Sequence, residues 1–194
     1  LFKQLIAQAF PEDLVCVVNG DAEVAQQFTQ LPFNHLLFTG ASEVGKHVMR
    51  AAANNLTPVT LELGGKSPAL VLADANIRES ARRIAFGKAM NAGQTCVAPD
   101  YVLIPAPLQA QFIEEYSSAI QEFFPKLADN PDYTAIINER QLNRLNGYIE
   151  DATAKNATVN VITEPSSGRR LAHYVLSNVT DDMQVMQNEI FGPL

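Results

Sequence analysis

Four short stretches of this sequence hold side chains suited to chemistry, and a cysteine is the centre of them. Cys96 stands in Asn91-Ala92-Gly93-Gln94-Thr95-Cys96-Val97-Ala98-Pro99-Asp100, between a helical segment and a strand-like Asp100-Tyr101-Val102-Leu103-Ile104. Gly93 permits backbone angles that other residues take at a cost, and Pro99 fixes the exit direction. A thiol on a tight connection between two regular elements is placed as nucleophiles are placed, although a buried free cysteine acting as a small hydrophobe is the common alternative. An ordinary cysteine with a pKa of about 8.5 is only a few per cent thiolate at pH 7, so a nucleophilic role needs a lowered pKa or a nearby base.

The other three stretches are weaker alone. Gly40-Ala41-Ser42-Glu43-Val44-Gly45 follows a strand and opens a helix, where backbone N–H groups and the helix dipole can hold a phosphate. A tight strand-to-helix turn explains the same residues. Leu61-Glu62-Leu63-Gly64-Gly65-Lys66-Ser67-Pro68 carries a carboxylate between two leucines at a strand end. Glutamate is seldom buried unpaired, so Glu62 lies either at a site or in solvent. Asn188-Glu189-Ile190-Phe191-Gly192-Pro193 reads as a surface turn.

The elements that must position these groups follow from periodicity. Residues 1–10 have a helical spacing of apolar positions closed by Pro11, and Asp21 caps a second helix closed by Pro32. Residues 14–18 and 35–39 are runs suited to strands covered on both faces, 57–63 is a third strand ended by Gly64-Gly65, and a helix runs from Ser42 to about Asn55. Strand and helix alternate at short intervals, which predicts parallel strands and crossover helices, half of a doubly wound sheet. Beyond Gly64-Gly65, taken as the domain boundary, the spacing predicts a strand over 69–72, a helix capped by Asn76, long helices over 107–124 and 138–154, and short strands over 158–162, 174–176 and 184–186. The division is therefore 1–65 and 66–194.

Composition narrows the class. The 194 residues are 47% hydrophobic and 18% charged, as in globular proteins. A net charge of −7 argues against a nucleic-acid partner, and no apolar run approaches the roughly 20 residues needed to span a bilayer. The histidines His35, His47 and His173 show no metal-ligand spacing, so no metal site is expected. Cys16 lies inside the run 14–18 and is expected to be a buried, inert thiol, in a cytoplasmic redox setting. The chain opens without methionine and stops directly after a motif, which reads as a piece of a longer polypeptide.

Taken together, in order, the four stretches resemble the motifs of the aldehyde dehydrogenase superfamily. Phe38-Thr39-Gly40-Ala41-Ser42-Glu43-Val44-Gly45-Lys46 is similar to its cofactor turn, with one departure: Ala41 stands where many members have serine, leaving a backbone contact or Ser42 to serve the pyrophosphate. Residues 57–62, 90–101 and 185–187 look most like the class 3 branch, which includes fatty, medium-chain and aromatic aldehyde enzymes, bacterial coniferyl aldehyde dehydrogenases among them.

The resemblance implies an α/β protein: the second half of a Rossmann-like cofactor sheet, then most of an α/β catalytic domain. It implies Cys96 as nucleophile and Glu62 as general base. Gly40, Ser42, Val44, Gly45, Leu63, Glu189 and Phe191 would bind NAD or NADP. The reaction implied is oxidation of an aldehyde to the carboxylic acid through a thiohemiacetal and a thioester on Cys96. Acylating relatives that use coenzyme A lack the base at the Glu62 position. The parent is expected to be a homodimer or homotetramer acting on a small-molecule aldehyde. Two other readings stand beside this one: a cysteine hydrolase pairing Cys96 with a histidine, and a catalytically incomplete piece of the same fold.

Overall fold

The computed structural model describes residues 1–127, 130–164 and 168–194. The chain divides into two compact units, Leu1–Leu63 and Gly64–Leu194.

In the first unit, helices α1 (Phe2–Ala9) and α2 (Ala22–Phe28) precede strand β1 (Leu36–Gly40), helix α3 (Ser42–Ala53) and strand β2 (Val59–Leu63). Asp21 starts α2 as expected, its carboxylate accepting from the N–H groups of Glu23 at 3.0 Å and Val24 at 3.2 Å. Strands β1 and β2 run parallel with α3 as the crossover, and the register sets Thr39 opposite Glu62 and Gly40 opposite Leu63. Leu36, Val48 and Ala52 form the small core between strand and helix. One expectation fails. Residues 14–18 form no strand; Leu14 and Val18 are exposed, and so is Cys16, whose Sγ lies 3.8 Å from Glu12 Oε1. An apolar run becomes a strand only when a neighbouring strand takes up its N–H and C=O groups, and β1 pairs with β2 alone among the described residues.

The second unit contains β3 (Pro68–Leu70), α4 (Ile77–Ala89), β4 (Tyr101–Leu103), α5 (Gln109–Phe123), α6 (Glu139–Ala154), β5 (Thr158–Val161), β6 (Tyr174–Ser177) and the short helix α7 (Gln184–Gln187). Strands β3 and β4 pair in parallel, β5 and β6 antiparallel. Asn76 and Asn138 cap α4 and α6 through their side-chain oxygens. Ala81, Ala85 and Ala89 recur every fourth residue on α4, so that helix packs closely on Phe112, Tyr116 and Ile120 of α5. A second core joins Leu145, Tyr148 and Ala152 of α6 to Met183, Val185 and Ile190.

Residues 184–186, expected as a strand, are helical in α7. The cause is distant in sequence: Asp151 Oδ2 on α6 accepts the Gln184 N–H at 2.7 Å, satisfying a donor at the start of the helix. Among the described residues no helix is long and apolar enough to cross a membrane, and no group of three His, Cys, Asp or Glu side chains could hold a metal ion.

Candidate functional site

The expected site residues fall into two groups, one in each unit. In the first unit, Gly40 ends β1 and α3 starts two residues later. Ala41 at the cap position is extended and offers no side-chain acceptor, so no cap side chain takes the first-turn N–H groups of α3. Ser42 and Val44 in that turn are exposed, and Glu43 is drawn to Lys46 at 2.6 Å. Gly45 is buried against β2: a Cβ there would stand 3.0 Å from Leu63 Cδ2 and 3.7 Å from Leu61 Cδ1. Glycine therefore sets how closely α3 approaches the strand bearing Glu62 and Leu63. Glu62 itself points from an exposed strand position.

In the second unit, the turn before Cys96 is more strained than its sequence suggests. Asn91, Ala92 and Gly93 take φ values of 53°, 52° and 73°, three consecutive left-handed residues at the end of α4. A non-glycine residue in that region costs of order 1–3 kcal/mol, and such costs gather at functional sites. Gln94 holds the turn in place. Its Nε2 donates to Asn91 O (3.2 Å) and Ala135 O (3.1 Å), while its Oε1 accepts from Ile137 N–H at 3.0 Å. Cys96 emerges exposed from this buried base, and Ser67 Oγ donates to its carbonyl at 3.4 Å.

The loop bearing Glu189 and Phe191 lies against the nucleophile turn. A Cβ on Gly93 would come within 2.3 Å of Gly192 O, so the two backbones touch only because residue 93 has no side chain. The Glu189 carboxylate lies over the backbone of Gly64-Gly65: the Gly65 N–H donates to Oε1 at 3.1 Å, and a Cβ on Gly64 would stand 2.0 Å from Oε2. Phe191 is left-handed (φ 48°) and exposed. Arg144 of α6 donates to the carbonyls of Glu189 (3.1 Å) and Ile190 (2.8 Å). Lys66 donates to the carbonyls of Val185 (2.8 Å) and Asn188 (3.0 Å) and pairs with Asp100, whose Oδ2 accepts the Ile190 N–H at 2.8 Å.

Sequence reading thus gave positions to Cys96, Glu189 and Phe191, whose loops meet at Gly93 and Gly192, and to Gly40, Gly45, Glu62 and Leu63, which share β1, α3 and β2. It assigned nothing to Lys66, Asp100, Gln94 or Arg144. Lys66 and Asp100 sit inside quoted motifs, so a buried-charge criterion applied there would have found them; Arg144 carries no local signal.

Two further buried groups flank the turn. Lys88 on α4 is 4% exposed, and burial pulls its pKa down to about 8, with Asp100 and Glu189 opposing that fall and Lys66 adding to it. His173 is fully buried with neither ring nitrogen hydrogen-bonded, stacked on Phe124 at 6.1 Å; burial and then Lys88 push its pKa down to about 3. A neutral ring held this way is a packing element, not a partner base for Cys96. A cavity of about 330 Å³ lies between β4 and β6; Lys88, Asp100 and Ile190 are in its lining and Cys96 is not.

Comparison with known proteins shows the family. The aldehyde dehydrogenase family matches residues 1–194. A probable coniferyl aldehyde dehydrogenase of Pseudomonas aeruginosa is 61% identical over 194 residues, and the chain covers 41% of that protein. Among solved structures, the substrate-bound AldH of Staphylococcus aureus superposes with a TM-score of 0.87 at 40% identity, covering 99% of this chain and 42% of the other. An aldehyde dehydrogenase of Mycobacterium tuberculosis complexed with NAD+ gives a TM-score of 0.87 at 31% identity, covering 98% and 41%. The chain spans about two fifths of the length of these relatives.

Proposed function

Because the chain belongs to the aldehyde dehydrogenase family, we propose that it carries the nucleophile and half of the dinucleotide-binding fold of an NAD(P)-dependent enzyme that oxidises aldehydes to carboxylic acids. Residues 1–65 supply the phosphate-binding turn and the base Glu62, and residues 66–194 the nucleophile Cys96 together with Glu189 and Phe191. The observation that carries the reading is the left-handed run Asn91–Gly93 that presents an exposed Cys96 beside the Glu189 loop.

The residues present fit a dinucleotide. The α3 N-terminus has no side-chain cap, Gly45 brings that helix close to β2, and the Glu189 carboxylate is fixed over a glycine pair. Gly40, Ser42, Val44, Gly45 and Leu63 would hold the phosphate-bearing part, and Glu189 and Phe191 the nicotinamide end. When bound, NAD or NADP supplies the hydride acceptor.

The chain's own residues supply the rest. Cys96 Sγ, as the thiolate, forms a bond to the aldehyde carbon while the C=O π pair moves to oxygen, which takes the negative charge. The Cys96 N–H, for which no described residue acts as acceptor, is free to donate to that oxyanion. After the hydride is lost, Cys96 bears a thioester. Glu62 takes a proton from water, the water oxygen bonds to the acyl carbon, and the C–S bond breaks to release the acid and the thiolate. The 61% identity to a probable coniferyl aldehyde dehydrogenase favours an aromatic aldehyde of that type, with medium- or long-chain aliphatic aldehydes as the second class.

The test uses the full reading frame that encodes these residues. Glu62→Gln should leave a rapid burst of reduced cofactor, seen by absorbance, followed by turnover slowed roughly 10²–10⁴-fold. Cys96→Ala should give neither burst nor turnover. Unchanged steady-state turnover in Glu62→Gln would remove the base assignment. The 194-residue chain assayed alongside should lack turnover, and activity in it would show that this chain suffices.

A further inference from the structure

The loop 188–192 contains no regular structure, yet four of its backbone polar groups, the carbonyls of Asn188, Glu189 and Ile190 and the N–H of Ile190, are taken up by charged side chains. We propose that Lys66 and Asp100 are positioning residues, a partly buried ion pair that clamps this loop, and with it the Glu189 carboxylate, against the turn that carries Cys96. The role of the clamp in cofactor binding rests on the function proposed above; the clamp itself does not.

The hydrogen-bond geometry assigns each atom a task. Asp100 is 8% exposed and uses both carboxylate oxygens, Oδ1 for Lys66 and Oδ2 for the Ile190 N–H. Its own N–H donates to Ser67 O at 2.8 Å. Lys66 spends three donors on three acceptors: Asp100, Val185 O and Asn188 O. An ammonium has three N–H groups, so this one is fully satisfied. Residues 66–67 and 100 are therefore joined to both loops, to the Glu189 side through Val185, Asn188 and Ile190, and to the Cys96 side through the Ser67 hydroxyl.

Stability alone is a poor explanation of such a pair. Taking two charges out of water costs about what their attraction returns, and apolar replacements of similar volume are often neutral. What an apolar pair cannot do is bind two carbonyls and an N–H in fixed directions. That matters because the Glu189 carboxylate fits over Gly64-Gly65 with no slack. A displacement of about 1 Å in a positioning group can cost up to about 10²-fold in rate.

Lys66→Met/Asp100→Leu removes the pair together and keeps the volume, so the fold should survive; Asp100→Asn keeps an acceptor for Ile190 while losing the charge. Two measurements on the full reading frame decide. Hydrogen exchange followed by mass spectrometry, without cofactor, should show faster exchange in peptides covering 186–194 of the double variant and no change over α5. Steady-state kinetics should show the cofactor KM raised at least tenfold with a smaller change in kcat, and Asp100→Asn falling between the two. A merely structural defect would instead reduce the active fraction and leave KM unchanged. Unaltered exchange over 186–194 would overturn the clamp. Faster exchange with an unaltered cofactor KM would support the clamp and overturn the assignment of Glu189 to the cofactor.

Discussion

At the scale of single residues, burial and charge were the features least legible in the sequence. Lys88 carries no mark of burial in the sequence, yet it is among the most buried charged groups described, because α4 is covered on the side where the Gly93 and Gly192 backbones meet. Its pKa of about 8 against an ordinary 10.5 is a statement about stability. Below pH 8 both folded and unfolded chains carry the proton, and the folded state bears the full cost of a buried charge. Between pH 8 and 10.5 the unfolded state holds more protons than the folded one, so stability rises with pH until the cost disappears. Lys88→Met should therefore stabilise the protein at pH 7 by up to about 3 kcal/mol, and the gain should shrink to under about 1 kcal/mol at pH 10. Urea unfolding at the two pH values measures it. Equal loss of stability at both would mean that the lysine makes contacts worth more than its burial. Cys16 erred the other way. Its apolar neighbours suggested a covered strand, but such a run records only a capacity for burial, and no strand among the described residues pairs with it.

At the scale of elements, parallel β1 and β2, the α3 crossover, and the caps Asp21, Asn76 and Asn138 were all readable, since each depends on local chemistry. Two features were not. Helix α7 starts because Asp151 reaches it from α6, a contact that no local window contains. The left-handed run before Cys96 was readable only at Gly93; nothing in the chemistry of Ala92 announces a φ of 52°. The contrast between those neighbours gives a prediction. Gly93→Ala combines a strained φ with a 2.3 Å approach to Gly192 O, and should cost about 3 kcal/mol or more and displace the Glu189 loop. Ala92→Gly relieves a left-handed alanine at the expense of a methyl group and of chain entropy, and should change stability by less than about 1 kcal/mol. Thermal unfolding of both variants decides. Comparable midpoints would mean that the turn yields where the backbone contact says it cannot.

At the scale of the whole molecule, the sheet is where the two-stranded pairs call for further structure, and the second unit shows how. Strands β4 and β6 belong to different pairs, and each has one edge that no described strand covers. They face one another across the 330 Å³ cavity, with Val102 and Ile104 on one wall and Val175 and Leu176 on the other. The Tyr174 N–H already donates to Pro193 O at 3.0 Å, so the chain enters the gap beside β6, and Leu194 is buried there. A two-stranded pair is marginal in water, and an open edge over an apolar hollow invites another strand. One extended segment in the gap would join β3–β4 and β5–β6 into a single five-stranded sheet. In the 194-residue chain by itself, the outward-facing amides of Val102 on β4 and Leu176 on β6 should therefore exchange quickly, and an apolar dye should bind the unit. In a polypeptide extended past Leu194, the same amides should be protected and the dye excluded. Equal protection of Val102 and Leu176 in the two proteins would show that the cavity is a finished feature of the fold and not a slot for a strand.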